Sequence, residues 1–402
     1  MNLSEIENIT GEKSKIDKRT FTVVPYSPVF IGSGIDKRKG LDFYCRGGKT
    51  YFFNLKKIYE YYLHDIDSLE HALLKGNLDQ FIKGKGEKPE NFIQQSVNGD
   101  VLGQELMQPT TDGFGNPIIP GSSLKGSIRT ALFAQLFSDK KMSSNEYSRL
   151  IKGRNVSAKA IENLLLSTRE GGKAPNYDLG RVLRISDSTF KKEDLEVFNS
   201  VVINETNDGF QYKVMGRGSR NSANLLDATI ISKLALSFDA DLVKPANVTM
   251  TIDQGTLKSI GWKQSFNFQF IANCCNLLSK RLIEYELDYI KVAIQDRKEL
   301  IPLKNEYEYL LEDVNQCIED TQNGKICWIQ RVGWGSGWLG MTGAHALLKD
   351  PRGNEYIDSL RKATPRMFRK TGDFEYPKTR KIVLDFDKNP SSTMGWVLVE
   401  AK

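Results

Sequence analysis

Between residues 116 and 137 the sequence NPIIPGSSLKGSIRTALFAQLF passes from a proline-bounded turn of small residues into an amphipathic helix. Lys125 and Arg129 stand four residues apart on that helix, so both cations leave from one face. Ser122 or Ser123 is placed to cap it, and the free amides of the first turn, at the positive end of the helix dipole, offer an anion site. A Walker A loop is excluded by spacing, because Lys125 precedes Gly126 instead of following the required glycine. A serine nucleophile needs a neighbouring base, and His64, His71 and His345 lie in no triad context. The bland alternative is a capped helix whose stripe of Leu124, Ile128, Leu132 and Leu136 is core and whose cations face water.

A second segment, RVGWGSGWLGMTG at 331–343, has a backbone that can approach a ligand closely. Arg331 is available for a phosphate, Trp334 and Trp338 for base stacking, and Gly333, Gly335, Ser336 and Gly337 for the close approach. The same composition also arises for packing alone. Arg361, Lys362, Arg366, Arg369, Lys370, Lys378, Arg380 and Lys381 form a basic run interleaved with Phe368, Phe374 and Tyr376, the combination of charge and stacking that binds single strands. Arg217 and Arg220 add charge in the loop MGRGSRN.

Metal chemistry finds little support. The cysteines at 45, 274, 275, 317 and 327 form no C-x-x-C pair, and turn or surface roles fit Asp385, Asp387, Asp65 and Asp67 better than a two-metal centre. We therefore expect no metal, no cofactor and no catalytic constellation.

These residues must be carried by a chain of 402 residues with a net charge of +6, 40% hydrophobic and 26% charged, the composition of a soluble globular protein long enough for two domains. The N-terminal residues show no signal peptide, and no apolar run is long enough to span a bilayer, so a reduced, cytoplasmic protein is expected. A strand is predicted at 21–25, leading into a glycine turn at Gly32, Ser33 and Gly34, and a hairpin at 41–54 around Gly47 and Gly48. Helices follow at 55–63 and 68–74. The glycine-rich stretch 81–100 reads as an exposed insertion. Further helices are expected at 143–151, 157–167, 267–290, 305–321 and 344–348, and strands at 181–190, 228–253 and 394–400. Interleaved strands and helices give an α+β fold with antiparallel sheets. The expected division is a flexible arm at 1–19, a first domain at 20–250 and a helix-rich second domain at 251–402.

Taken together, SPVFIGSG, IIPGSSLKGSIRTAL, LRISDS at 183–188, RVGWGSGWLGMTG, YPKTRK and the terminal MGWVLVE resemble the RAMP superfamily of CRISPR effector proteins, in the order and chain length of a subunit of the type III-A (Csm) complex. The resemblance implies two ferredoxin-like (RRM-like) RAMP domains with helical insertions. It also implies a place at the head of the complex, on the 3′ side of the CRISPR RNA, and support of that RNA's 3′-end maturation through recruited host nucleases. Its implied partners are the crRNA, target RNA, the repeated backbone RAMP subunit and the small helical subunit. Carried over by position, Gly32, Ser33 and Gly34 line one turn, Ser122, Ser123, Lys125 and Arg129 an RNA-facing helix start, and Arg331 with Gly333 to Gly337 a glycine-rich loop. Two departures stand out: Phe30 occupies a position where relatives often carry histidine, and LVKPANVTM replaces a proline-glycine turn. The rival reading is a metal-independent RAMP-fold endoribonuclease with His64 or His71 as its base.

Overall fold

The computed structural model describes residues 16–140, 143, 145, 159–169, 176–214, 220–342, 377 and 379–402. β1 (Ile16–Pro25) buries Phe21, Val23 and Pro25 in alternation with half-buried neighbours, the period of a strand packed on one face. β2 (Gly32–Arg38) follows, then β3 (Phe43–Arg46) and β4 (Lys49–Phe53), joined by a tight turn in which Gly47 and Gly48 take φ values of 61° and 75°. Three helices come next: α1 (Leu55–Tyr61), α2 (Ile66–Lys75) and α3 (Leu78–Gly84). With the hairpin they enclose a satellite core of Tyr44, Phe53, Ile58, Tyr62, Leu69 and Phe92. Asn54 caps α1 by accepting from the Lys57 amide.

The chain continues through β5 (Ile93–Asn98), β6 (Glu105–Pro109), β7 (Ile118–Ile119), α4 (Gly121–Lys140) and α5 (Lys159–Leu166). β8 (Leu183–Ile185), β9 (Ser188–Thr189), β10 (Leu195–Thr206), β11 (Gly209–Val214), β12 (Arg220–Ser222), β13 (Ile231–Leu236) and β14 (Ala246–Asp253) precede α6 (Gln254–Ser259). The last part holds α7 (Phe268–Asp296), α8 (Ile301–Gln322), β15 (Cys327–Arg331), α9 (Gly337–Thr342), β16 (Thr379–Leu384), β17 (Pro390–Ser392) and β18 (Trp396–Ala401).

One sheet has the order β15-β18-β1-β14-β8, so the first described strand lies between β14 and the last one, with Phe21 opposite Val248 on one side and Ala401 on the other. A larger sheet runs β2-β6-β13-β10-β5-β4-β3, and β10 is long enough to pair β11 and β16 further along its length. The 29-residue α7 packs between α4, α8 and β15, and its Phe268 meets Phe21 at 5.1 Å between ring centres; Phe21 in turn meets Trp328 at 5.4 Å. The main core forms at this junction.

The α+β class is as expected, although β10 with β5 and β13 with β6 are parallel pairs in otherwise antiparallel sheets. Several boundaries differ. β1 begins at Ile16, inside the segment expected as an arm, because its first half pairs with β14 from Ile16 opposite Asp253. The expected division at 250/251 falls within β14, and the two ends of the chain share a sheet. Residues 93–98 are a strand of the larger sheet instead of an exposed insertion: β5 pairs both β4 and β10, and Val97 is buried. Gly32, Ser33 and Gly34 belong to β2 and not to a turn. The helix expected at 344–348, that expected at 143–151 apart from residues 143 and 145, and most of the basic run lie outside the described residues.

Candidate nucleic-acid interface

At the start of α4 the backbone of Gly121 lies against the carbonyl oxygens of Ile185 and Ser186, where a β-carbon would collide. That close approach lets the Gly121 amide donate to Asp187 Oδ1 at 2.7 Å. Asp187, from the LRISDS segment, therefore satisfies the helix start in place of the expected Ser122 cap. Its carboxylate also occupies part of the anion site expected there. Ser122 is exposed and Ser123 half-buried, both inside the first turn. Leu124, Ile128, Leu132 and Leu136 are buried, as the helical period requires.

Arg129 does not stand free. Its guanidinium forks onto Asp178 at 2.7 and 2.9 Å and reaches Glu162 at 3.7 Å, so much of the charge expected to face a phosphate is engaged in a half-buried bidentate pair. Lys125 is half-buried beside it. Burial lowers its pKa, opposed by Asp178 and reinforced by the positive charges of Arg129 and Arg184. Arg184, on β8, keeps its side chain 72% exposed while touching Asp253 at 3.5 Å. Lys125 and Arg184 are thus accessible cations at this corner.

The two glycine-bearing segments meet at Phe30. The Trp334 amide donates to the Phe30 carbonyl at 2.9 Å, and Gly333, at φ 70°, lies against that same carbonyl with no room for a β-carbon. Gly335 packs on the Met394 carbonyl in the same manner. Arg331 donates from Nε to Met394 O at 2.9 Å, also bonds the Thr393 hydroxyl, and lies over the Trp396 ring. Gly335 and Ser336 are buried and Gly337 half-buried. The glycines at 333 and 335 are thus selected by backbone contact, in a packing joint between residues 28–31 and 393–395, while Arg331, Gly335, Ser336, Gly337 and Trp338 also line a cavity of about 580 Å³ with Arg380 and Lys381. Gly32, Ser33 and Gly34 are exposed by contrast. Between Gly32 opposite Pro109 and Asp36 opposite Met107 the register slips, so Ser33, Gly34 and Ile35 bulge from the outermost strand of the sheet. Ser33 Oγ donates to Gln108 O at 3.1 Å and accepts from the Ile35 amide at 3.2 Å, which holds the bulge open.

Under the joint lies a feature that the motifs did not single out. Lys233, fully buried on β13, places its ammonium 3.3 Å from the Trp334 ring centre, 5.9 Å from that of Phe30, and 3.2 Å from Ser200 Oγ. Lys381 approaches the same indole at 3.8 Å and donates to Trp334 O at 3.1 Å. Burial, with help from the charge of Lys381, brings the Lys233 pKa down to about 7; Lys381 is lowered too, by burial and then by Arg331. The signal in the sequence is a lysine inside the apolar run IISKLALS, whose strand is buried on both faces.

Arg380 is another correction. It pairs with Glu286 on α7, stacks 3.9 Å from the Tyr289 ring centre, and is nearly closed to solvent, so its charge is engaged inside the fold instead of on the basic surface. Arg220 is exposed on β12, whereas Arg217 and Lys378 lie outside the described residues. His64 and His71 are exposed on the helical satellite. Asp385 accepts from the Asn389 amide at 2.8 Å, a turn role. Among the described residues no group of His, Cys, Asp and Glu has the arrangement of a metal site, and no helix is long and apolar enough to cross a membrane.

A profile of the RAMP superfamily matches residues 25–246, more than half of the chain, and the chain belongs to that superfamily. Within it, the chain is similar to the CRISPR system Cms protein Csm5 of Methanocaldococcus jannaschii, 21% identical over 404 residues that cover 92% of this chain and 86% of the relative. The Csm5 of Streptococcus thermophilus is 28% identical over 198 residues, 43% of this chain and 53% of that one. Among solved structures, a chain of a cryo-EM Csm–crRNA–target RNA ternary complex of a type III-A CRISPR-Cas system superposes with a TM-score of 0.61 at 19% identity, over 95% of this chain and 100% of that one. The crystal structure of T. onnurineus Csm5 gives 0.59 at 18% identity, over 94% and 99%.

Proposed function

We propose that this chain is a non-catalytic, RNA-binding subunit of a type III-A CRISPR effector complex, in the position that Csm5 holds. The observation that carries the reading is end-to-end likeness: the chain matches the full length of a protein found in a Csm–crRNA–target RNA complex, with no part of that fold left over. The surface chemistry is compatible with it. Exposed backbone at Ser33 to Ile35, the first turn of α4 at Ser122, and the cations Lys125, Arg184 and Arg220 suit contact with sugar and phosphate, which carries no base identity and serves a protein that must accept any guide. In the finer form of the proposal, two ferredoxin-like units cap the complex at the 3′ side of the crRNA, against the backbone and small subunits, and nucleases recruited there trim the RNA.

The test is fluorescence anisotropy of the full-length chain with two labelled single-stranded RNAs of unrelated sequence across a salt series. Equal affinities are expected, with log K falling linearly in log salt by about 0.7 per phosphate neutralised. Absent binding, or binding indifferent to salt, overturns the RNA-binding part. In the assembled complex, a photoactivatable uridine at either end of the crRNA tests the placement: adducts from the 3′ end are expected, and adducts only from the 5′ end refute it.

A further inference from the structure

On a protein of net charge +6, one groove of about 580 Å³ carries the opposite sign. It lies between β10, the segment after β13, and the β16–β17 hairpin. Its apolar surface comes from Val197, Phe198, Val383 and Leu384, and Phe238 and Phe386 stand at its margin with 44% and 84% of their surface exposed. Asp100, Glu196, Asp239 and Asp385 line it against a single cation, Lys388. None of the four carboxylates is ion-paired among the described residues. Glu196 accepts only from Ser237 Oγ and Asn98 Nδ2, at 2.6 and 3.2 Å. Asp239 accepts from the Asp241 amide and Asp385 from that of Asn389, while Oδ1 of the half-buried Asp100 has no hydrogen-bond partner among the described residues.

From this arrangement we infer that the groove is a docking site for a cationic, apolar polypeptide segment of a protein partner, one presenting a leucine- or phenylalanine-like side chain flanked by lysine or arginine. The inference goes beyond the RNA reading and does not depend on it. Apolar surface with two projecting phenylalanines is the kind of patch that folded proteins leave open for a partner. The surrounding carboxylates decide which partner: they repel a phosphodiester chain and attract a basic segment. Asp100, half-buried at the floor of the groove, adds a fourth carboxylate to that field.

The probe is a phage-displayed library of random dodecapeptides selected on the full-length chain, followed by titration of enriched peptides labelled with fluorescein. Enrichment of peptides with lysine or arginine beside a large apolar residue is expected. Phe386→Ala, which removes a side chain outside the core, and the double variant Asp239→Asn/Asp385→Asn, which keeps both turn-forming acceptors, should each weaken binding about tenfold. RNA affinity of the same variants should be unchanged, which separates this proposal from the previous one. No enrichment, enriched peptides without cations, or unchanged affinity in both variants overturns it. So does a Phe386→Ala variant that sediments as monomer where the parent is dimer, since the groove's occupant is then a second copy of this chain.

Discussion

The Lys233 ammonium lies 3.3 Å from the centre of the Trp334 indole, and no carboxylate among the described residues pairs with it. The negative face of the indole offsets part of the desolvation, by about 2 kcal/mol for a buried cation, but not all of it. Hence the folded-state pKa of about 7 against the ordinary 10.5. The unfolded chain then binds more protons than the folded one between those two values. Stability should accordingly rise with pH across that window and carry a constant penalty below it. Lys233→Met, similar in volume and without the charge, should be more stable than the parent at pH 7 by about 1–4 kcal/mol. The gap should narrow by pH 9. Urea unfolding at both pH values checks this, and a gap that does not narrow shows that Lys233 is not the titrating group.

Arg380 and Glu286 make a buried pair whose members depend on each other. Replacing Arg380 with Met leaves Glu286 uncompensated on α7 and should cost about 3–5 kcal/mol. Adding Glu286→Met should recover most of that loss, because the desolvated charge goes as well. Chemical denaturation of the two variants measures the difference. RNA affinity per folded molecule should not change in either, since the guanidinium already has its anion; an affinity loss in a folded Arg380→Met variant would falsify this.

Much of the architecture was legible from period. The apolar stripe of α4, the long α7, the polar α8 and the hairpin around Gly47 and Gly48 follow from spacing and turn chemistry alone. The candidate site was legible only where it depends on local sequence. The anion at the start of α4 comes from Asp187, 66 residues further on, and the partner that removes Arg380 from the basic surface comes from 94 residues upstream. Charge density in a window cannot register either. β5 read as an insertion because glycines and charges precede it, whereas its place between β4 and β10 is set by long-range pairing. The glycines at 333 and 335 do permit close backbone approach, as their sequence suggests, but what approaches is the carbonyl of Phe30 and of Met394.

Lys125 and Arg129, paired by helical spacing, separate in their consequences. Lys125→Ala should weaken single-stranded RNA binding and lower the salt slope by about 0.7, the signature of one fewer phosphate neutralised. Arg129→Ala removes the two bonds that the guanidinium gives Asp178, which keeps the Gly180 amide as a donor, so its main effect should be on stability, about 1–2 kcal/mol, with the slope retained. Anisotropy over a salt series beside thermal unfolding distinguishes the two. Equal slopes for Lys125→Ala and the parent would remove that lysine from the interface.

Gly34 and Gly335 are both glycines of the candidate interface, but for different physical reasons. Gly34 sits at φ 81° in the β2 bulge with open space around it, so an added methyl meets strain and nothing else. Gly34→Ala should cost about 1 kcal/mol. Gly335 has an ordinary φ, but its α-carbon rests on the Met394 carbonyl and side chain, so a methyl there must push residues 393–395 away. That displacement also disturbs the Arg331 to Met394 bond, and Gly335→Ala should lose about 2–3 kcal/mol. Thermal unfolding ranks the pair, and the ordering is diagnostic of the joint. Should Gly335→Ala prove as mild as Gly34→Ala, the segment at 333–337 yields easily, and an adaptable loop free to close on RNA replaces the rigid joint described above.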